Sequence, residues 1–483
     1  MVRIFRIEEP VLFFGNRGEC LDPQVGLLNF GPYGGRGVDE EKGIIIRAGI
    51  IGTTRSITST RLWLERLRYR IAAKETLSTE YKGIDFPGLN LNSPLGFEIV
   101  IDENCVQRIE RQFVKNLRNL SRRERVYESV QEYCRKINNL TEAHPRPDII
   151  LLPIDDELFQ LCKEPKRGTD KIVYQRREFG DPESSFAPMF DFHNYIKAHA
   201  ALKGFVTQML QPKTLIFAED RQSPSIIGWN IAVGIYYKAT GIPWKLADID
   251  EDTCYVGVSF YNEIRESIKT IRASFAQVYM RTGESQVIRG QPFEWNYKEK
   301  GRDVQLSYSQ MKRLVTRAIK IYFNQRNKLP TRIVVHKSTI FSDDEIKGCE
   351  SACENIDELD IVNISEYTGF RAYHENFDYP VVRGTVIMDL DEAILFTTGY
   401  VPSLATYPGP TVPRPLLLRC QKIDTSIETI CNDIMSLTKL DWNSSTFYTK
   451  MPVTIGVARK VGEVMAEMVA EGGDPPTSYR FYM

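Results

Sequence analysis

The run Gly43-Ile44-Ile45-Ile46-Arg47-Ala48-Gly49-Ile50-Ile51-Gly52 constrains the fold more than any other stretch of this chain. It is apolar on both alternating faces, so as a strand it must be covered on both sides, which is the environment of a sheet sandwiched by helices. Its neighbours support that reading. Thr53 to Tyr69 carries helical spacing, Phe97-Glu98-Ile99-Val100-Ile101 reads as the next strand, and a long charged helix is expected from Val106 to Ile137. Pro147-Asp148-Ile149-Ile150-Leu151-Leu152-Pro153 gives a third apolar strand. Strands and helices in alternation predict a doubly wound, Rossmann-like layer, in which ligands usually sit at the carboxyl ends of the strands.

A different pattern starts near Asp250, after Gly241-Ile242-Pro243-Trp244-Lys245-Leu246. Cys254 to Tyr261, Ser267 to Val278 and Glu284 to Arg289 read as a meander, followed by a helix from Ser307 to Asn327 and a β-branched strand from Thr331 to His336. Val381 to Met388 and Ala393 to Thr398 form a hairpin pattern around Asp389-Leu390-Asp391-Glu392. Helices at Thr425 to Leu437 and Val453 to Ala470 close the chain. The 483 residues exceed what one hydrophobic core organises, so the expected units are a segment 1–42, a domain 43–249 and a domain 250–483.

Composition removes several function classes. With 62 Lys and Arg against 63 Asp and Glu, the net charge of −1 excludes a general polycation that coats DNA, and any nucleic-acid site must be local. No stretch stays apolar for the roughly 20 residues of a spanning helix, and the opening MVRIFRIEEPVLFFG lacks a leader's organisation, so a cytoplasmic protein is expected. The nine cysteines are scattered and read as reduced thiols; Cys349 and Cys353, four apart without a nearby His, suit helix packing better than zinc. Phe30 to Gly37 is rich in glycine but lacks the Lys-Ser/Thr ending of a phosphate loop, so it reads as a turn.

The chemistry concentrates between Phe192 and Leu246. On a helix His193 and Lys197 lie on one face and can donate to the same anion. Gln208 adds an uncharged donor in Gly204-Phe205-Val206-Thr207-Gln208, and Lys238 ends a helix that begins near Ile226. Taken singly, each is an ordinary surface residue, as His199 and Lys203 on the same helix are expected to be. In this order, with Ala239-Thr240-Gly241-Ile242-Pro243-Trp244 after them, they resemble the MID-domain pocket with which Argonaute proteins hold the 5′-phosphate of a guide strand. The resemblance implies that His193, Lys197, Gln208 and Lys238 are the phosphate ligands. It also implies a divalent cation, Mg²⁺, between phosphate and the terminal carboxylate of Met483; Asn230, two helical turns before Lys238, is a further candidate ligand by its position, and the aromatic tail Tyr479-Arg480-Phe481-Tyr482-Met483 suits insertion between domains.

The second half resembles PIWI domains, which have an RNase H-like fold, through Tyr255-Val256-Gly257-Val258, Arg332 to Lys337, Thr398-Gly399, Pro413 to Leu416, Leu437 to Asn443 and Pro452 to Lys460. Two-metal phosphodiester cleavage needs several carboxylates. At the positions where the family carries them this chain has Ser259, Ser338 and Arg459, and neither a hydroxyl nor a guanidinium can hold the metals. Asp248, Asp250, Glu251 and Asp252 precede the strand and read as a solvated turn.

The resemblance, to the MID-PIWI half found in short prokaryotic Argonautes, therefore implies an α/β chain with a Rossmann-like MID domain followed by a degenerate RNase H-like PIWI domain. It implies no slicing, a short guide RNA, a single-stranded DNA target and a separate APAZ-containing effector of TIR or sirtuin-like type, whose NAD hydrolysis and higher oligomer on activation would belong to defence by abortive infection. Arg108, Arg111, Lys115, Arg118, Arg122, Arg123 and the basic stretch Lys163 to Arg177 are candidates to line the strand channel. The rival readings are a catalytically active guide-dependent nuclease, and an unrelated nucleotide-binding α/β protein, for which no G-x-G-x-x-G is present.

Overall fold

Every residue of Ile149–Pro153 is buried, and this strand lies inside a four-stranded sheet of order Phe97–Ile109, Ile44–Thr53, Ile149–Pro153, Thr207–Leu210, parallel throughout. A computed structural model describes residues 2–34, 43–73, 83–163, 192–216, 223–247, 252–263, 271–279, 285–295, 303–367, 369–373, 380–389, 392–407 and 412–483. Gly35 to Gly37, Glu164 to Arg177, Asp248 to Glu251, Ser267 to Thr270, Glu284, Leu390 and Asp391, all within stretches named above, lie outside the described residues.

The helices on this sheet start where capping chemistry is available. Thr53 ends its strand and its hydroxyl accepts the Ser56 amide, opening Thr54–Leu67. The long helix expected from Val106 is corrected: Phe97–Ile109 stays extended through a register shift and pairs Val106 to Ile109 with Ile50 to Thr53. A short helix Arg111–Leu117 follows, and a new one, Arg122–Leu140, begins at a Ser121–Glu124 capping box. Helices Phe192–Leu202 and Pro224–Ala239 flank the edge strand Thr207–Leu210 in sequence.

The second sheet has nine strands, in the order Arg3–Arg6, Thr385–Asp389, Glu392–Leu395, Leu416–Lys422, Glu358–Glu366, Arg332–Lys337, Thr253–Glu263, Ile271–Tyr279, Ser285–Glu294. The last three form an antiparallel meander; Arg332–Lys337 runs parallel to both Thr253–Glu263 and Glu358–Glu366. Period-2 alternation sorts the faces. Cys254, Val256 and Val258 pack with Met311, Leu314 and Val315 of helix Tyr308–Arg326, whereas Tyr255 joins a core containing Val461, Val464 and Met465 of helix Ala458–Ala470. Helix Tyr308–Arg326 matches expectation, since Ser307 and Gln310 form its capping box and Asn327 closes it with φ 54°.

The described part of segment 1–42 is not a separate appendage. Arg3–Arg6 adds an edge strand to the nine-stranded sheet, and Leu12–Phe13 pairs with both Glu19–Cys20 and Lys245–Leu246 in a small third sheet. Between them the Glu9 carboxylate pairs with Lys439 at 2.7 Å and Arg383 at 2.9 Å. One hydrophobic cluster runs from Ile50 and Leu151 through Trp229 and Trp244 to Trp442, Met468 and Met483, so the units meet across a shared core. No helix among the described residues is long and apolar enough to cross a membrane.

Candidate functional site

Three helices bring cations to one place. His193 and Lys197 come from Phe192–Leu202, Lys238 from the last turn of Pro224–Ala239, and Lys460 from the first turn of Ala458–Ala470, which packs on both the Thr253–Glu263 strand and the His193 helix. Lys197 and Lys238 are 9% and 6% exposed, a depth at which an ammonium group requires compensation. The compensation inside the chain is polar and uncharged for Lys238: its Nζ donates to Gln208 Oε1 at 2.8 Å and to the Thr207 carbonyl at 3.2 Å. Gln208 in turn donates its Nε2 to the Met209 carbonyl at 3.1 Å. Gln208 thus aims Lys238, a task beyond the donor role its spacing suggested.

The electrostatics follow from this crowding. Burial, then the charge of Lys460, pushes the Lys238 ammonium down to about 7. Loss of hydration and the charges of Lys197, Lys238 and Lys460 hold the His193 imidazole well below its usual range, against a weaker upward pull from Asn194, although solvent still reaches the ring. The imidazole is therefore neutral at pH 7 and can donate or accept. An anion placed among these groups would relieve the repulsion and meet several N–H donors at once.

Of the sequence candidates, the structure gathers His193, Lys197, Gln208 and Lys238. Lys460 was not among the pocket candidates, because it arrives from the other unit and no local spacing links it to Lys238. The cluster gathers at the edge strand Thr207–Leu210 of the four-stranded sheet. His199 is corrected from a surface charge: it is buried, with Nδ1 on Glu471 and Nε2 2.9 Å from Asn138 Oδ1, tying three helices together.

Asn230 is also corrected. It lies two turns before Lys238, about 12 Å along the helix axis. Its Oδ1 is occupied by the Ser445 amide at 3.0 Å and hydroxyl at 3.1 Å. Met483 is buried in the seam, behind a turn Tyr479–Phe481 that touches helices Phe192–Leu202 and Pro224–Ala239 and the strand Ser285–Glu294. Thr477 accepts the Val287 amide at 2.6 Å, so the tail is inserted between the units. Of the expected metal donors only the Met483 carboxylate remains, and a single carboxylate falls short of the oxygen set that Mg²⁺ takes, so these residues fit Mg²⁺ poorly.

Parallel register explains a second constellation. His336 pairs with Gly257 and Lys337 with Val258, so Ser338, just past the end of its strand, and Ser259, inside the longer Thr253–Glu263, directly follow the last paired residues. Arg459 is directed elsewhere: it is exposed and bonds Glu463 at 2.9 Å, whose other oxygen takes Asn194 of the His193 helix at 3.5 Å. The residue of that segment held against the strands is Thr454, 2.9 Å from His336 Nδ1; a Cβ at Gly257 would stand 2.1 Å from its carbonyl oxygen. Asp252 sits at the opposite end of the Ser259 strand, about 23 Å away at 3.3 Å per residue. Asp389 pairs with Glu392 in the hairpin, as expected. Among the channel candidates, Arg118 bonds Glu157 at 2.8 Å and Arg122 the Lys163 carbonyl at 3.1 Å.

No protein-family model matches the chain, and no curated protein matches its sequence. Solved structures do match in fold. Clostridium butyricum Argonaute, bound to a guide DNA and a 19-mer target DNA, is 16% identical at a TM-score of 0.62, over 98% of this chain and 54% of that one. Marinitoga piezophila Argonaute in complex with a 5′ OH guide RNA is 12% identical at 0.56, over 96% and 59%. Drosophila Piwi is 12% identical at 0.58, over 99% and 56%. The chain thus spans little more than half the length of these proteins. Its fold is that of the MID-PIWI part of Argonautes, a Rossmann-like MID domain followed by an RNase H-like PIWI domain.

Proposed function

We propose that this chain is the guide-holding recognition subunit of a short Argonaute system: it binds a short RNA by its 5′-phosphate, pairs it with single-stranded target DNA, and does not cut. The observation that carries this reading is the convergence of Lys197, Lys238 and Lys460 around His193, with Lys238 bonded, among the described residues, to the neutral oxygens of Gln208 and Thr207. A terminal phosphate carries nearly two charges and accepts several hydrogen bonds, which is what such a cluster lacks. Because Lys460 belongs to the PIWI helix, a bound phosphate would also clamp the two domains together.

Non-cleavage is supported by the hydroxyl residues Ser259 and Ser338 that follow the last paired residues of the two parallel strands, where a two-metal site would need carboxylates. The output then belongs to a partner, an APAZ-containing effector of TIR or sirtuin-like NADase type, acting in the cytoplasm and switched on when target pairing changes its interface with this chain. Nucleic acid co-purified with the chain tests the reading. The expected result is short RNAs that a kinase labels only after phosphatase treatment, and guide-dependent binding of complementary DNA without Mg²⁺-dependent cleavage. Cleaved target would establish the nuclease alternative, and absence of any bound strand would refute guide loading.

A further inference from the structure

A second cationic recess lies on the other face of the nine-stranded sheet. A register shift in the meander leaves Gly290 and Gln291 opposite Ser274 alone, between the pairs Phe275–Arg289 and Ala273–Pro292, which is a β-bulge. The bulge opens a cleft of about 100 Å³ against helix Tyr308–Arg326, lined by Gly290, Gln291, Gln310, Arg313, Leu314 and Arg317. Arg313 and Arg317 are one helical turn apart and exposed. Backbone carbonyls hold them in place: Arg317 Nη1 donates to Arg289 at 2.7 Å and Arg313 Nε to Ser309 at 3.2 Å. Each guanidinium has five N–H donors, so most remain for a ligand. Gln310 Oε1 is taken by the Ser307 amide at 2.9 Å, so its contribution to the cleft is the Nε2 donor. Among the described residues no carboxylate forms an ion pair with either arginine, although like charges at this spacing repel.

Size and chemistry narrow the ligand. Small-molecule pockets run to about 300–1,000 Å³, so this smaller, open cleft suits a group the size of a single tetrahedral oxyanion. Paired guanidinium forks with amide donors match phosphate oxygens. Lys320 continues the row on the same helix face, in the i, i+4, i+7 series Arg313, Arg317, Lys320, and a row of cations beyond the mouth suits a polyanion better than a free ion. We infer that this cleft takes one backbone phosphate of a nucleic-acid strand held by the protein. The choice of strand as the phosphate source rests on the function proposed above.

The test uses the full chain carrying Lys197→Ala and Lys238→Ala, so that a 5′ end is not read, with and without Arg313→Ala plus Arg317→Ala, or the two Arg→Lys changes. The probes are a 5′-hydroxyl single-stranded RNA of about 30 nucleotides, across roughly 50–300 mM salt, and inorganic phosphate followed by ³¹P NMR. The expected result is about tenfold weaker RNA binding at low salt in the alanine variant, with the log–log salt slope shallower by about 0.7, one phosphate's worth. The lysine variant keeps the slope and recovers part of the affinity, and phosphate binding disappears with the arginines. Unchanged RNA affinity and slope in variants that melt like the parent would overturn the site. RNA bound by none of these pocket-disabled chains, while phosphate binding still requires the arginines, would overturn the strand assignment and leave an anion cleft. The functional reading fails only if the chain with Lys197 and Lys238 intact also binds no 5′-phosphorylated RNA. Displacement of phosphate by polyglutamate, with RNA binding unaffected, would likewise overturn the assignment in favour of an acidic protein segment.

Discussion

Buried cations occur on both sides of the domain seam, and they are compensated differently. In the PIWI half each has an acid. Lys337 meets both Glu345 oxygens at 2.7 Å, Arg332 lies 2.7 Å from Asp360 and 2.8 Å from Asp433, and Arg383 and Lys439 share Glu9. In the MID half Lys238 has an amide oxygen and a carbonyl, and the charge acting on it is that of another lysine, Lys460. A buried charge neutralised from within serves the fold. One left to neutral dipoles is stabilised fully only when an anion arrives.

The sharpest way to break that contrast is to truncate one member of each set. Glu345→Ala leaves Lys337 buried without its acid, and denaturant unfolding should show a loss of about 3–5 kcal/mol. Lys238→Met removes a desolvated charge and should leave stability unchanged or slightly raised; equal losses in the two variants would contradict the distinction. Next in size is ligand binding. Each charge-assisted bond contributes about 1.5–3 kcal/mol, so Lys238→Met should weaken a 5′-phosphorylated RNA by about tenfold or more in a direct titration while barely changing its 5′-hydroxyl twin.

The pH dependence is a smaller effect with a defined sign. A bound phosphate raises the Lys238 pKa from about 7, so binding takes up a proton wherever only the complex keeps Lys238 charged. Its contribution is complete below about pH 7 and declines as pH rises above that value. The phosphate's own second ionisation, near pH 6, weakens binding on the acid side, so affinity should peak between about 6 and 7. Lys197, Lys460 and His193 face the same point, and Lys238→Met should remove the alkaline decline specifically. The smallest effect concerns Arg459, whose exposed pair with Glu463 is expected to be worth under about 1 kcal/mol; Arg459→Ala should leave unfolding and guide affinity almost unchanged.

The sequence revealed what short-range chemistry determines. Ser307, Gln310 and Asn327 marked a helix by its caps, and the apolar run before Gly52 marked the first parallel strand. The error at Val106 came from counting charges where pairing with Ile50 to Thr53 decided the matter, a partner choice invisible locally. Glu358–Glu366 and Leu416–Lys422 went unrecognised because their identity as strands depends on insertion between neighbours distant in sequence. The site divides in the same way: His193, Lys197, Gln208 and Lys238 stand at spacings that can be read, whereas Lys460 reaches the cluster only through the packing of its helix on two units.

The central claim is that the lysine cluster reads a phosphorylated strand end, and the most direct test is binding of a roughly 20-nucleotide RNA bearing either a 5′-phosphate or a 5′-hydroxyl, at two salt concentrations. Wild type should favour the phosphate at both, and the chain with Lys197→Ala and Lys238→Ala should bind the two ends equally. Equal binding of both ends by wild type, or a preference that survives in the folded double variant, would contradict the account.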